Sequence, residues 1–260
     1  MKIGLIGCGN IGKFLLETLN INRALPECRI DAVYEGRKKD LSLFSKTYDI
    51  EVYEDFTGFM NSGIDLVIEA ANIQVVEEYA PTIIENGKDL LIVSVGALGD
   101  NSFYKKLNHL CGIHGTKIYL PSGAIGGLDI LKAAKSINQL DSVSITTRKP
   151  PKSLGEKSLN EEKVIFRGPA SEAIKRFPKN INVSIILSLA GLGSQETEVK
   201  IIADPKVDKN IHYIEAKGAF GRLEVHVEND PMPENPKTSY LAALSVLSTL
   251  KNRREMILLG

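Results

Sequence analysis

Three glycines in the spacing Gly7-x-Gly9-x-x-Gly12 lie near the start of the 260-residue chain, between the apolar run Lys2–Ile6 and a segment of helical periodicity, Lys13–Leu19. Strand, glycine turn and helix in that order form a site for a dinucleotide pyrophosphate. Gly7 permits the tight turn, Gly9 lets the backbone approach the phosphates, and Gly12 lets helix and strand pack closely. The helix start adds unpaired N–H groups and partial positive charge. Gly7, Gly9, Asn10, Ile11 and Gly12 are therefore the expected cofactor loop. Glycine turns are common, so it is the strand–turn–helix context that weighs against a purely structural turn.

The next chemistry sits at strand ends. Arg29–Tyr34 reads as the second strand and ends at Glu35. An acid there, roughly 20 residues past the glycines, accepts hydrogen bonds from the adenosine ribose. Glu35 favours NAD; Arg37 and Lys38, directly after it, could meet a 2′-phosphate, which leaves NADP use open. Ile64–Ala70 is a near-continuous apolar strand, so Ala70 and Ala71 should lie on a cofactor-facing loop at the carboxyl edge of a sheet. A second glycine-rich turn, Pro121–Asp129, opens a helix and exposes backbone N–H groups that suit a carboxylate or the nicotinamide amide. Helix packing alone would explain Gly126 and Gly127, but less of Ser122-Gly123-Ala124.

Of the four histidines, His109 and His114 ride a helix; His114 shares its apolar stripe, where the structural reading is the stronger, and His109 has no role. His226 alternates with Glu224 and Glu228 on a polar strand face. In Asn210–Lys217 the period of two sets His212 with Ile214 and Ala216, pointing to an interior or a cleft. That pattern fits a satisfied core histidine more often than a catalyst.

Elements that position these groups follow from periodicity. Strands at Lys2–Ile6, Arg29–Tyr34, Glu51–Tyr53, Ile64–Ala70, Asp89–Val95 and Lys117–Leu120 alternate with helical segments, which predicts a parallel, doubly wound sheet. Beyond it, Ser142–Thr147, Thr197–Ala203 and Asn210–Lys217 read as strands with fewer crossover helices, hence a second α+β domain. Asn235–Leu250 is expected to form a helix, capped by Thr238 or Ser239, that returns to the first sheet. The expected division is residues 1–121 plus 236–260 for the dinucleotide domain and 122–235 for the catalytic and dimerisation domain.

Charge is balanced, with 32 basic and 32 acidic residues and no basic run, which speaks against nucleic acid or an anionic membrane as partner. No apolar stretch approaches the ~18 residues of a membrane span, and no signal-peptide pattern is present. Cys8, Cys28 and Cys111 have no CxxC spacing, which argues for a reducing, cytoplasmic setting and against a disulfide frame or a metal site.

The segments PSGAIGGLD, TTRKP, RGPASEAIKRFPKNINV, ADP…NIHYIEAKGAFG and ENPKTSYLAALSVL follow GLIGCGNIGKF in this order. Together they closely resemble the L-aspartate dehydrogenase family, over essentially the whole chain. The resemblance implies a Rossmann domain with an α+β catalytic domain, usually a homodimer, and NAD(P)-dependent oxidation of L-aspartate to iminoaspartate. The product either hydrolyses to oxaloacetate and ammonia or feeds NAD biosynthesis. By family pattern Ala124 and Asn182 touch the cofactor and His212 is the active-site residue. The strand end Glu35-Gly36-Arg37 departs from the aspartate-type end common in the family. A site for aspartate needs donors for two carboxylates, since burying them unpaired would be costly; Ser122, Gly123, Lys149 and Lys237 are the candidates, with Arg148 beside them. The alternatives are a related enzyme, such as homoserine dehydrogenase or dihydrodipicolinate reductase, and a non-catalytic nicotinamide-binding redox sensor.

Overall fold

The computed structural model describes residues 1–36, 41–157, 159–177, 181–232 and 235–257, with the backbone alone for 235–237, so Arg37 and the Lys237 side chain lie outside the described part. The chain divides into two compact units. Unit 1 is Met1–Pro121 with the stretch that begins at Val246, and unit 2 is Ser122–Ser245.

Unit 1 carries strands β1 (Lys2–Ile6), β2 (Arg29–Tyr34), β3 (Glu51–Tyr53), β4 (Leu66–Glu69), β5 (Asp89–Ile92) and β6 (Ile118–Tyr119). They form one parallel sheet in the order β3-β2-β1-β4-β5-β6. The order reverses beside β1, and at such a switch point the strand carboxyl ends leave a crevice. Helices α1 (Asn10–Leu16), α2 (Ser42–Tyr48), α3 (Phe56–Met60), α4 (Ile73–Glu85) and α5 (Asn101–His114) connect the strands. Ile3, Leu5, Ile30, Leu66 and Ile68 are wholly buried, consistent with a parallel sheet covered on both faces.

Directly after α1 the helix widens into a π-helical turn, Glu17–Ile21. Asn20 there donates to the carbonyls of Ile30 (2.8 Å) and Tyr48 (2.9 Å) and accepts from Ile30 N–H (3.0 Å), pinning β2 beside the helix. Three strands, β4, β5 and β6, are shorter than their apolar runs suggest. The fifth stops at Ile92 rather than Val95, and a 3₁₀ turn Val95–Gly99 follows. Ser94 leaves the sheet to bond Glu69, which explains the early stop.

Unit 2 is built on a mixed sheet of β7 (Leu140–Lys149), β8 (Lys163–Pro169), β9 (Thr197–Ala203), β10 (Asn210–Gly218) and β11 (Gly221–Asn229), in the order β11-β10-β7-β9-β8. Its helices are α6 (Leu128–Lys135), α7 (Ala170–Arg176) and α8 (Asn182–Ala190). Along β7 the buried residues are Leu140, Val143, Ile145, Thr147 and Lys149; along β10 they are Asn210, His212, Ile214 and Ala216. Alternation of this kind marks a sheet with one well-covered face.

The chain's last segment differs from expectation. Asn235–Ser239 is a strand, β13, paired with the short β12 (Pro231–Met232), and helix α9 runs only over Tyr240–Asn252. The Tyr240 N–H is spent on the Asp230 carbonyl (2.9 Å) instead of closing a helical turn, so the helix begins only there. Val246 and Leu250 of α9 join the unit 1 core with Leu15, Leu16 and Leu19. No helix among the described residues is long and apolar enough to cross a membrane.

Candidate active site

In unit 1 a cleft of about 360 Å³ opens at the carboxyl ends of β1, β2 and β4, lined by Gly7, Cys8, Gly9, Glu35, Ala70, Ala71, Asn72 and Tyr79 among others. Sterics explain two of the glycines here. Gly7 holds a φ of +98°, a conformation that side chains rarely adopt. A Cβ on Gly12 would lie 2.2 Å from the Gly7 carbonyl oxygen, so the helix can approach the strand only without one. Gly9 differs: the nearest atom to its Cβ position is the Ala70 oxygen at 4.0 Å. The protein itself leaves room at Gly9, so any need for glycine there comes from a ligand that approaches the backbone. The cleft's shape, its glycines and its acid at the end of β2 fit a dinucleotide.

Polar contacts tie this cleft together. The Cys8 N–H points to the Glu35 carboxylate at 3.4 Å, joining the glycine loop to the end of β2. Glu69, 1% exposed at the end of β4, accepts from Ala71 N–H (2.7 Å), Ser94 N–H (3.0 Å) and the Ser94 hydroxyl (2.8 Å). Burial pushes its carboxyl pKa up, and those bonds act the other way. The result is a fixed loop at Ala70-Ala71, which Asn72 continues by capping α4 through Val75 N–H (3.1 Å). The Tyr34 and Tyr79 hydroxyls, 3.0 Å apart, are on the cleft wall. Sequence reading reached Glu35, Ala70 and Ala71 here but missed Glu69, Ser94, Tyr34 and Tyr79. A charged residue inside the otherwise apolar run Ile64–Ala70 was the available signal for Glu69.

Unit 2 gathers polar groups at one end of its covered sheet face. Thr147 and Lys149 come from the end of β7, Asn210 and His212 from the start of β10, and Asn229 from the end of β11. All five are buried, His212 to 2% exposure. His212 pairs with Thr147 across β10 and β7, and its Nδ1 lies 3.0 Å from the Thr147 hydroxyl. Burial, and to a lesser degree the nearby Lys149 ammonium, push the His212 pKa down to about 3. The near-neutral titration of an ordinary histidine is therefore not kept: His212 is uncharged throughout the neutral range. Burial likewise pushes the Lys149 pKa down to about 8.

The glycine-rich turn at residues 122–127 belongs to the same unit. Gly123 N–H donates to the Ser245 hydroxyl (3.1 Å), and the Ala124 carbonyl accepts from Asn229 Nδ2 (3.2 Å). Val183 lies 3.7 Å from the Cβ position of Gly123, so the turn adjoins the first turn of α8, which Asn182 begins. The structure thus brings Ser122, Gly123, Ala124 and Asn182 near one another, and sets Lys149 beside His212. Arg148 points to the other face, where it pairs with Asp204 (2.9 Å) and Glu162. His226 is exposed beside Glu228 at 3.7 Å. His114 is exposed as well, off the apolar stripe on which periodicity set it. Sequence reading missed Thr147, Asn210 and Asn229. Extending the period of two from His212 back to Asn210, and from Val227 on to Asn229, would have found two of them.

Comparison with known proteins identifies the family of the chain. Residues 129–253 match the family model described as aspartate dehydrogenase, C-terminal, and residues 7–121 match the NAD-binding domain of homoserine dehydrogenase. The L-aspartate dehydrogenase of Methanospirillum hungatei is 44% identical over 100% of this chain and 99% of its own length. That of Nitrosopumilus maritimus is 44% identical over 96% of this chain and 95% of its own length. The crystal structure of aspartate dehydrogenase from Thermotoga maritima superimposes with a TM-score of 0.82 at 34% identity, covering 100% of this chain and 99% of that one. The homoserine dehydrogenase likeness stops at the first half, and full-length identity at this level places the whole chain: it belongs to the L-aspartate dehydrogenase family.

Proposed function

We propose that this protein oxidises L-aspartate to iminoaspartate with NAD as the preferred hydride acceptor. When bound, the nicotinamide supplies the electron sink by accepting a hydride at C4. The substrate ammonium must also lose one proton as the Cα–N bond becomes an imine, and His212 is the residue to take it. With Nδ1–H donating to Thr147, the His212 Nε2 carries the lone pair a base requires. Burial and the Lys149 ammonium keep the free imidazole neutral, and a substrate carboxylate that neutralises Lys149 raises its proton affinity toward the range a base needs. Lys149, on the same covered face, is the anchor for a substrate carboxylate, and Ser122 and Gly123 offer further donors from the turn. Lys237 stays a candidate on its sequence position alone. Ala124 and Asn182 are assigned to the cofactor, with Gly7, Gly9, Asn10, Ile11, Gly12, Glu35, Ala70 and Ala71 in unit 1.

The observation that carries the reading is the placement of His212, Thr147 and Lys149 together, buried, in a chain of this family. NAD is preferred because Glu35 and Glu78 both line the unit 1 cleft and would repel a 2′-phosphate. Arg37, the residue that could offset them, lies outside the described residues. The test is reduction of NAD and of NADP by the purified protein with L-aspartate, followed by nicotinamide absorbance, with homoserine and other amino acids as controls. Turnover on homoserine but not aspartate would sink the reading. Glu35→Ala should shift the ratio of catalytic efficiencies toward NADP; an unchanged ratio would move the specificity determinant elsewhere. The same reading carries the family's homodimer, checked by sedimentation.

A further inference from the structure

Asn229 closes β11 on the covered face of unit 2, at 2% exposure, opposite Asn210 in the strand register. Its Nδ2 donates to the Ala124 carbonyl at 3.2 Å. A carbonyl can only accept, so this bond sets the amide's orientation and turns Oδ1 away. That Oδ1 is sealed from solvent and has no hydrogen-bond partner among the described residues. A buried acceptor left so is costly, which calls for a partner. Its polar neighbours are matched with one another instead: Thr147 with His212, and Asn210 with Ser239 at 3.2 Å.

Register locates this acceptor relative to the proposed base. His212 faces Val227 across β10 and β11, while Asn210 faces Asn229. Asn229 is therefore the diagonal neighbour of His212 on one face, on the order of 7–8 Å away along the backbone. One amino group can span two side chains at that separation. We propose that Asn229 Oδ1 is the acceptor for a second N–H of the substrate's α-amino group, orienting the amine while His212 takes its proton. The proposal rests on the aspartate-oxidising reading above. An amide oxygen repels carboxylates and attracts ammonium, so it selects the amino end of the substrate, whereas the Lys149 ammonium selects a carboxylate. Asn229 then also works as a gauge of the turn, because the same amide holds Ala124.

Succinate separates the two roles, since it keeps both carboxylates of aspartate and lacks the amine. The experiment measures the KM for aspartate, the inhibition constant for succinate and the NADH dissociation constant in the wild type, Asn229→Leu and Asn229→Asp. Asn229→Leu should raise the aspartate KM by about ten- to a hundredfold. Succinate inhibition should change less than about twofold, and Asn229→Asp, which keeps an acceptor, should recover most of the preference for the amine. Asn229→Ala carries the same comparison if leucine prevents folding. Equal losses for aspartate and succinate, a loss confined to NADH, or no loss would each overturn the proposal and leave Asn229 as a holder of the turn. A wild-type protein without aspartate turnover would instead sink the functional reading itself.

Discussion

The glycine cleft of unit 1 and the polar patch of unit 2 are made of different material. The cleft is backbone: a turn at φ +98°, a helix that approaches to within the space of a missing Cβ, and a loop held by the buried Glu69. Its residues come from short, nearly contiguous segments. The patch is side chain: Thr147, Lys149, Asn210, His212 and Asn229 arrive from three strands spread over more than eighty positions. Backbone sites fail when something is added, and side-chain sites fail when something is removed. Binding a common cofactor needs the first kind; discriminating one amino acid and moving its proton needs the second.

The largest expected effect is on the side-chain site. His212→Ala should lower turnover by about 10²–10⁴-fold, the usual loss for a general acid–base group, with NADH binding little changed. Near-normal turnover would reduce His212 to a wall of the patch and remove the contrast with the cleft.

Addition should be what breaks the cleft. In Gly12→Ala the new Cβ meets a backbone oxygen at 2.2 Å, so the loop must shift. An overpacking cost of about 1–3 kcal/mol should weaken NADH binding by roughly five- to a hundredfold and lower the melting temperature. Gly9→Ala should weaken NADH binding yet melt like the wild type, because no protein atom lies closer than 4.0 Å. If Gly9→Ala binds NADH normally, the phosphates do not approach that backbone.

Lys149→Met should raise the aspartate KM by about tenfold or more, the worth of a charge-assisted hydrogen bond. The succinate inhibition constant should weaken as pH rises through about 8, where Lys149 loses its proton, and that pH dependence should vanish in the variant. Loss of stability without change in KM would make Lys149 a structural lysine.

The remaining effect is on the pH dependence of stability. Folded His212 stays neutral down to about pH 3, whereas an unfolded histidine takes a proton below about 6.5. Between those values the unfolded state binds more protons, so His212 makes the fold less stable as pH falls through that window. Urea midpoints for His212→Gln should therefore decline less steeply than the wild type from pH 7 toward pH 4. Parallel declines would mean that His212 is solvated and not sealed as described.

The sequence by itself determined the parallel sheet, the glycine loop and the acid at the end of β2, because those depend on local spacing and on periodicities of two and 3.6 residues. It also determined that His212 faces inward, since alternation along one strand is local. It could not show which neighbours His212 meets, because register between β7, β10 and β11 sets Thr147 and Asn229 beside it, and register depends on packing across distant segments. The same limit misassigned Asn235–Ser239: a helix was locally acceptable, but pairing with Pro231–Met232 decided otherwise. Burial, too, is a tertiary property. Only the covered sheet face moves His212 and Lys149 away from their ordinary titration ranges, turning two common residue types into a neutral base and a cation that titrates near pH 8.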